Sequence, residues 1–132
     1  MTEFERSRRM AAPAERVFEE ACDVSHLENW IPRELHVREE RAPVVSVHDD
    51  FTGEDTLAQI RTEPERLRME WGTPGNGAYH GWLQVASVDD GNSDVTVHLS
   101  FGDEAHTPPA EVVESIMMYS LDRLAQRVGR AA

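Results

Sequence analysis

Two arginines on the predicted first strand are the first side chains in this chain that could do chemistry. Thr2 to Met10 alternates along its length, which places Arg6 and Arg8 on the same face as Phe4 and Met10. A guanidinium on an apolar face could hold a carboxylate, an enolate or a phenolate of a ligand. The alternative is an ion pair with Asp or Glu on a neighbouring strand. We favour the ion pair, because a buried arginine without a partner is costly.

Polar side chains on later predicted strands raise the same question. Gln59 and Arg61 are in phase with Leu57, so both the ligand-anchor and the ion-pair interpretations apply to them. A slip of one residue in strand register would reverse the face that Arg61 takes. His80 and His98 alternate with apolar residues, and we expect both on the outer face of the sheet.

The histidines do not predict a metal centre. Neutral imidazole is a common metal ligand, but no histidine pair here has i, i+4 spacing, no His-Glu-x-x-His motif occurs, and no histidine is flanked by cysteines. His48 beside Asp49 and Asp50 comes nearest to a ligand cluster. We predict no metal site and expect histidines on solvated faces. The six histidines are His26, His36, His48, His80, His98 and His106.

Several classes of covalent and cofactor chemistry are excluded by residue content. All 13 basic residues are arginine, so no lysine can form a Schiff base. No serine occupies a Gly-x-Ser-x-Gly elbow, and Cys22 shares a predicted helix face with Phe18, where a buried, unreactive thiol is expected. Gly75-Asn76-Gly77 lacks the lysine of a phosphate-binding loop. We predict no hydrolase chemistry and no cofactor.

Length and charge limit the partners of the chain. Its 132 residues suit one domain, residues 1–132, with a core of its own. The 25 acidic against 13 basic residues give a net charge of −12, which repels nucleic-acid phosphates and anionic lipid. The N-terminal residues lack the apolar run of a signal peptide or membrane span, and a single cysteine fits a reducing compartment. These features predict a cytoplasmic protein that does not bind nucleic acid.

Two short helices are predicted directly after the first strand. Pro13 falls in the first turn of a helical pattern that continues through Val17 and Phe18. A second short helix is predicted to begin near Asp23 or Ser25, to run through Leu27 and Trp30, and to be stopped by Pro32.

The remainder of the chain predicts strands and one long helix. Four runs with a period of two predict strands, at Leu35–Val37, Val45–Val47, Leu57–Arg61 and Leu67–Trp71, and two longer strands follow at Ala78–Val88 and Ser93–Gly102. Glycine, proline and asparagine between the runs favour hairpins, hence antiparallel pairing. From Pro108 onward, apolar residues follow helical spacing over more than 20 residues. The expected fold is α+β, a curved antiparallel sheet of about seven strands wrapped on a long C-terminal helix.

The order of elements resembles the START-like superfamily, also called SRPBCC, over nearly the whole chain. The resemblance rests on Met10-Ala11-Ala12-Pro13-Ala14-Glu15-Arg16-Val17-Phe18, on Asp23, Leu27, Trp30 and Pro32, and on Ser120-Leu121-Asp122-Arg123-Leu124 in the last helix. It implies the helix-grip fold and a hydrophobic cavity between the sheet and the long helix. These motifs specify the fold more than an activity.

The resemblance also implies which side chains could line the cavity, with simple core packing as the alternative for each. They are Met69, Trp71, Tyr79, Leu83, Val97, Leu99 and Phe101 from strands and Ile116, Met117 and Ser120 from the helix.

Two functional hypotheses follow. The first is binding of a small hydrophobic ligand that is polyketide-like, aromatic or lipid, with Arg8, Arg61, Tyr79 or His80 assisting a cyclase or dehydratase reaction. The second is a protein-interaction module with a filled core, similar to chaperone-ATPase activators, whose acidic surface binds a basic partner. Under either hypothesis the protein could be a monomer or a homodimer.

Overall fold

The computed structural model describes residues 2–23, 26–27, 30–31, 35–39, 44–49, 53–72, 79–102 and 109–130. Its strands and helices follow the predicted order and confirm the fold class. The strands are β1 (Thr2–Met10), β2 (Leu35–Glu39), β3 (Val44–Asp49), β4 (Glu54–Glu63), β5 (Arg68–Gly72), β6 (Tyr79–Asp89) and β7 (Asn92–Phe101). The helices are α1 (Ala14–Cys22) and α2 (Ala110–Arg130), and a short 3-10 helix spans Pro64–Arg66.

All seven strands form one antiparallel sheet in the order β1-β7-β6-β5-β4-β3-β2. Strands β2 to β7 follow one another as hairpins, whereas β1 pairs with β7 from the far end of the chain. The pairing opposes Phe4 to Leu99 and Arg8 to Val95. Strands β1 and β2 therefore form the two edges of the sheet.

The turns follow the predicted glycine and asparagine positions. Between β6 and β7, the Asp89 carboxylate accepts hydrogen bonds from Gly91 N and Asn92 Nδ2, each at 2.9 Å. These bonds lower the pKa of Asp89, and the bond from Gly91 has the largest effect. Gly53 has φ of +72°, a conformation that glycine adopts without steric cost.

One predicted strand begins a residue later than expected. Leu67 takes a left-handed conformation with φ of 53°, so β5 begins at Arg68. Leu67 N donates to Pro64 O at 3.2 Å, and Leu67 O accepts from Val85 N at 2.9 Å. These two bonds to neighbouring backbone hold Leu67 in a conformation that a bulky residue seldom adopts.

The second predicted short helix falls partly on residues 24–25 and 28–29, which lie outside the described residues. His26 N donates to Asp23 O at 2.9 Å, and Trp30 N donates to Leu27 O at 3.1 Å. Both bonds have the spacing of a tight helical turn. Leu27 and Trp30 are each 5% exposed and belong to the core.

The core lies between the concave face of the sheet and the two helices. One stripe of α2 supplies side chains that are at most 4% exposed, and α1 contributes a smaller apolar face. Among the described residues, no helix is long and apolar enough to cross a membrane. The α2 stripe consists of Val113, Met117, Leu121, Leu124 and Val128.

Candidate functional site

Burial on the concave face changes along the strands. At the end covered by α1, Val85 and Val95 are at most 2% exposed, and the next row of side chains is also buried. Toward the opposite end, Leu99 and Phe101 are only partly buried. The interior is therefore packed near α1 and accessible at the end where β6 begins and β7 ends.

Four aromatic side chains lie on the concave face across four neighbouring strands at this accessible end. The Trp71 indole N–H donates to Tyr79 Oη at 3.1 Å. The rings of Tyr79 and Phe101 are 5.1 Å apart, and Phe101 meets Phe4 edge to face at 6.0 Å. We call Trp71, Tyr79, Phe101 and Phe4 the aromatic platform.

Gly81 makes the platform possible. A Cβ atom at this position would lie 2.7 Å from Cε2 and Cζ2 of Trp71 and 2.8 Å from the His98 carbonyl oxygen. Without it, the indole lies directly against the β6 backbone. A glycine inside a strand is the sequence signal for such a close approach, although we did not predict Gly81 or Phe4 as site residues.

Tyr79 is the polar group of the platform. Burial raises the pKa of its phenol, and the hydrogen bond from Trp71 offsets this only in part. The side chain therefore remains a neutral hydroxyl at physiological pH. A neutral phenol can position a ligand or donate a proton, but it is a poor general base.

The ten predicted ligand-binding residues all belong to strands and helix faces that border the interior, but they divide into two groups of five by their burial. The buried group, at most 8% exposed, is Met69, Leu83, Val97, Met117 and Ser120. The partly exposed group is Trp71, Tyr79, Leu99, Phe101 and Ile116.

The four predicted catalytic residues do not converge on one site. Tyr79 lies on the concave face, whereas Arg61 and His80 are exposed on the convex face because they alternate with inward-facing neighbours. Arg61 and His80 therefore do not face the concave interior; both border an open depression of about 180 Å³. Arg8 faces α2 at the edge of the sheet, where its Nε bonds Asp122 Oδ1 at 2.6 Å.

The arginines of β1 form ion pairs, as favoured from the sequence, but Arg6 and Arg8 pair with α2 and not with the neighbouring strand. Arg9 pairs with Asp94 on the neighbouring strand at 2.6 Å. Arg6 Nη2 instead reaches Glu114 Oε1 on α2 at 2.7 Å, as Arg8 reaches Asp122. The reason is that the inner face of β1 meets the helix and not another strand.

Replacing Arg8 or Asp122 with alanine is expected to lower the free energy of unfolding by less than about 1 kcal/mol, because exposed ion pairs contribute little. Their side chains are 38% and 52% exposed. A double-mutant cycle in urea, at low and high salt, measures the pair. A loss of ligand binding in Arg8→Ala that Asp122→Ala does not share would restore the ligand-anchor interpretation.

On the convex face, an arginine, a tryptophan and a histidine side chain stack on one another. The Trp82 and His98 rings are 5.2 Å apart and 3° from parallel, and Arg68 Cζ lies 4.5 Å from the centre of the Trp82 ring. The His98 nitrogens lie 3.1 Å from Glu5 and 3.2 Å from Glu3. The outward orientation predicted for His98 is confirmed, but stacking leaves its side chain only 16% exposed.

An open groove of about 460 Å³ runs between α1 and the β4–β5 connection. Its apolar part includes Phe18, Cys22 and Leu67. Burial raises the pKa of the Cys22 thiol to about 12, which agrees with the expected unreactive thiol, although Cys22 is half-buried and not fully buried. The same groove is bordered by Glu15, Glu19 and Asp23, so it is unsuited to an anionic ligand.

Metal ligation finds no geometric support within the described ranges. No three His, Cys, Asp or Glu side chains among those residues come together in a way that could hold an ion. Asp50, part of the nearest approach to a ligand cluster in the sequence, lies outside the described residues.

The fold and the concave aromatic face define a helix-grip protein of the START-like class. A START superfamily protein from Mycobacterium smegmatis is similar, with a TM-score of 0.75 and 12% identity over 98% of this chain and 99% of that chain. The chain belongs to the polyketide cyclase/dehydrase and lipid transport family, whose model matches residues 1–129. The START-like resemblance is therefore confirmed.

Aromatase/cyclases are also among the similar structures. Zhui aromatase/cyclase from Streptomyces sp. R1128 has a TM-score of 0.71 and 21% identity over 98% of this chain and 94% of that chain. The di-domain ARO/CYC BexL from the BE-7585A biosynthetic pathway has a TM-score of 0.75 and 17% identity, covering 98% of this chain and 47% of that chain. No curated protein compared with the chain matches it significantly. At these identities the likeness establishes the fold, and the family description supports hydrophobic-ligand binding in general terms.

Proposed function

We propose that the chain binds a small, largely apolar molecule on the aromatic platform, between the concave face and the N-terminal half of α2. The observation that carries the proposal is the Trp71 indole, laid against Gly81 and oriented by Tyr79. Such a fixed ring offers a flat apolar surface with little side-chain entropy left to lose on binding. The partial exposure of Leu99 and Phe101 supports access from the same end.

Within this class we favour a polyketide-like aromatic compound over an aliphatic lipid. Flat rings stack on other rings in offset or edge-to-face geometry, and the platform presents rings across four strands. The presence of aromatase/cyclases among the similar structures supports the same substrate class. The net charge of −12 disfavours fatty-acid anions.

Cyclase or dehydratase activity is a narrower part of the proposal. Of the four polar groups predicted to assist such a reaction, Tyr79 is the one on the platform. Its raised pKa keeps it protonated, so it can donate a hydrogen bond that positions the substrate, but it is a weak acid and leaves almost no phenolate to act as a base. Any reaction would therefore depend on Tyr79 and on holding the substrate in a reactive conformation. We place such a protein in the cytoplasm, in keeping with its single half-buried cysteine.

The test is a thermal-shift screen against an aromatic polyketide, a fatty acid and a sterol, followed by calorimetric titration. A ligand at about 100 times its Kd stabilises the native state by roughly 2.7 kcal/mol, which raises Tm by several degrees. Phe101→Ala should weaken binding of the aromatic ligand, whereas Leu57→Ala, on the convex face and 54% exposed, should not. No shift with any of the three ligands would favour the filled-core interaction module instead.

A further inference from the structure

Three buried polar side-chain atoms of the described residues lack hydrogen-bond partners. Ser100 Oγ lies on the convex face, because Ser100 alternates with the inward-facing Leu99 and Phe101, and the other two lie in the apolar interior. Trp30 is 5% exposed and Ser120 is 8% exposed, yet Trp30 Nε1 and Ser120 Oγ have no partner among the described residues. The Trp71 indole N–H, in the same interior, is satisfied by Tyr79. Buried donors are almost always paired, so an unpaired one calls for an explanation such as a bound water or a ligand.

Ser120 lies on α2, and Ile31, the residue after Trp30, contacts the same helix. Arg123 Nη1 donates to Ile31 O at 3.2 Å, which ties the segment next to Trp30 to the helix one turn beyond Ser120. Along the helix, Ser120 lies between Glu114 and Asp122, which pair with Arg6 and Arg8 of β1. Ser120 is therefore nearer the packed end of the interior than the open, aromatic end.

We propose that Trp30 Nε1–H and Ser120 Oγ–H bind an acceptor oxygen, that of a carbonyl group, on the ligand. This inference rests on the proposed function and specifies its substrate class. An indole nitrogen only donates, so its partner must be an acceptor. A hydrophobic ketone meets that requirement, whereas a hydrocarbon offers no acceptor and an ammonium group only donates.

The two ends of the interior differ in chemistry, and this difference sets the orientation of the ligand. Its apolar rings would lie on the aromatic platform, and its carbonyl would point toward Ser120. Both polar atoms are sealed from solvent, so the side chains around them must move when a ligand binds. Met69 and Met117 lie in the same core, and methionine adapts to new neighbours more readily than branched side chains.

The test compares fluorenone with fluorene, two tricyclic molecules of nearly the same shape that differ in one carbonyl oxygen. We expect fluorenone to bind roughly 3- to 10-fold more tightly, the contribution of one or two neutral hydrogen bonds. The carbonyl stretching band of bound fluorenone should shift to lower frequency, as hydrogen bonding weakens the C=O bond. Calorimetry measures the first effect, and infrared difference spectroscopy measures the second.

Ser120→Ala should reduce the preference for fluorenone and move the carbonyl band back toward its position in an apolar solvent. Ser115→Ala is the matched control, because Ser115 is an exposed serine on the same helix. Ser120→Ala should not lower Tm, since alanine favours the helix and leaves no polar atom unpaired. Trp30→Phe removes the second donor, and circular dichroism checks that it folds.

The outcomes separate the two proposals. If fluorene and fluorenone bind equally and the carbonyl band does not shift, the carbonyl site is wrong while hydrophobic binding stands. If neither compound binds, both proposals fail. Should Trp30→Phe not fold, the band shift and its loss in Ser120→Ala still decide the question.

Discussion

Gly81→Ala is expected to lower the free energy of unfolding by about 1–3 kcal/mol and to weaken binding of aromatic ligands. The added methyl group would lie 2.7 Å from the Trp71 ring and 2.8 Å from His98 O. The backbone oxygen is fixed by the sheet, so the indole must tilt away. Its hydrogen bond to Tyr79 at 3.1 Å would then be lost. Urea unfolding and ligand titration measure the two effects.

Gly129→Ala provides the control for this substitution. Gly129 lies in the last turn of α2, and a Cβ atom there would meet nothing within 4 Å. We expect its stability to be unchanged or slightly raised, because alanine favours the helix. A Gly81→Ala protein as stable as Gly129→Ala, with ligand binding intact, would contradict the close packing of Trp71 on β6.

Leu121→Ala is expected to lower the free energy of unfolding by about 2–5 kcal/mol, the largest effect of any substitution considered. Leu121 is 0% exposed and lies at the centre of the α2 stripe. Truncation removes apolar contacts with the surrounding core and leaves a cavity that rigid strands cannot fill. The change in urea midpoint, with the slope unchanged, measures this loss.

Leu57→Ala is the matched control, because Leu57 is the same residue type but 54% exposed on the convex face. It should change stability by less than about 0.5 kcal/mol. Arg8→Ala should also cost far less than Leu121→Ala. A larger loss of stability in Leu121→Ala than in Arg8→Ala would show that apolar burial, more than the ion pairs with β1, holds α2 on the sheet. Equal effects for Leu121→Ala and Leu57→Ala would refute it.

The spacing of apolar residues, together with the glycine, proline and asparagine residues between the runs, predicted most of the strands and helices. The alternation of Thr2–Met10 predicted β1 with its observed bounds, and the helical spacing after Pro109 predicted α2. These signals are local, since a side chain's face depends only on its position along its own strand or helix. The resemblance to START-like proteins added how the elements assemble.

The site was less predictable because it depends on contacts between distant parts of the chain. Glu114 and Asp122 could not be assigned to Arg6 and Arg8 until β1 was known to lie beside α2. Arg61 alternates as expected, but only the pairing with β5 fixes its face as the convex one. The unpaired Ser120 hydroxyl has no sequence signal at all, because a serine on a helix can bond water or its own backbone.

The position of β1 sets the order in which the chain can fold. Hairpins β2 to β7 join neighbouring segments, whereas pairing of Thr2 with Phe101 closes a loop that spans most of the chain. Closing so long a loop carries an entropic cost that nearby contacts do not, so distant pairings form slowly. On a ribosome, the first strand to leave the exit tunnel must wait for the last one. Until then, β1 lacks its partner strand, and its backbone is open to pairing with strands of other chains.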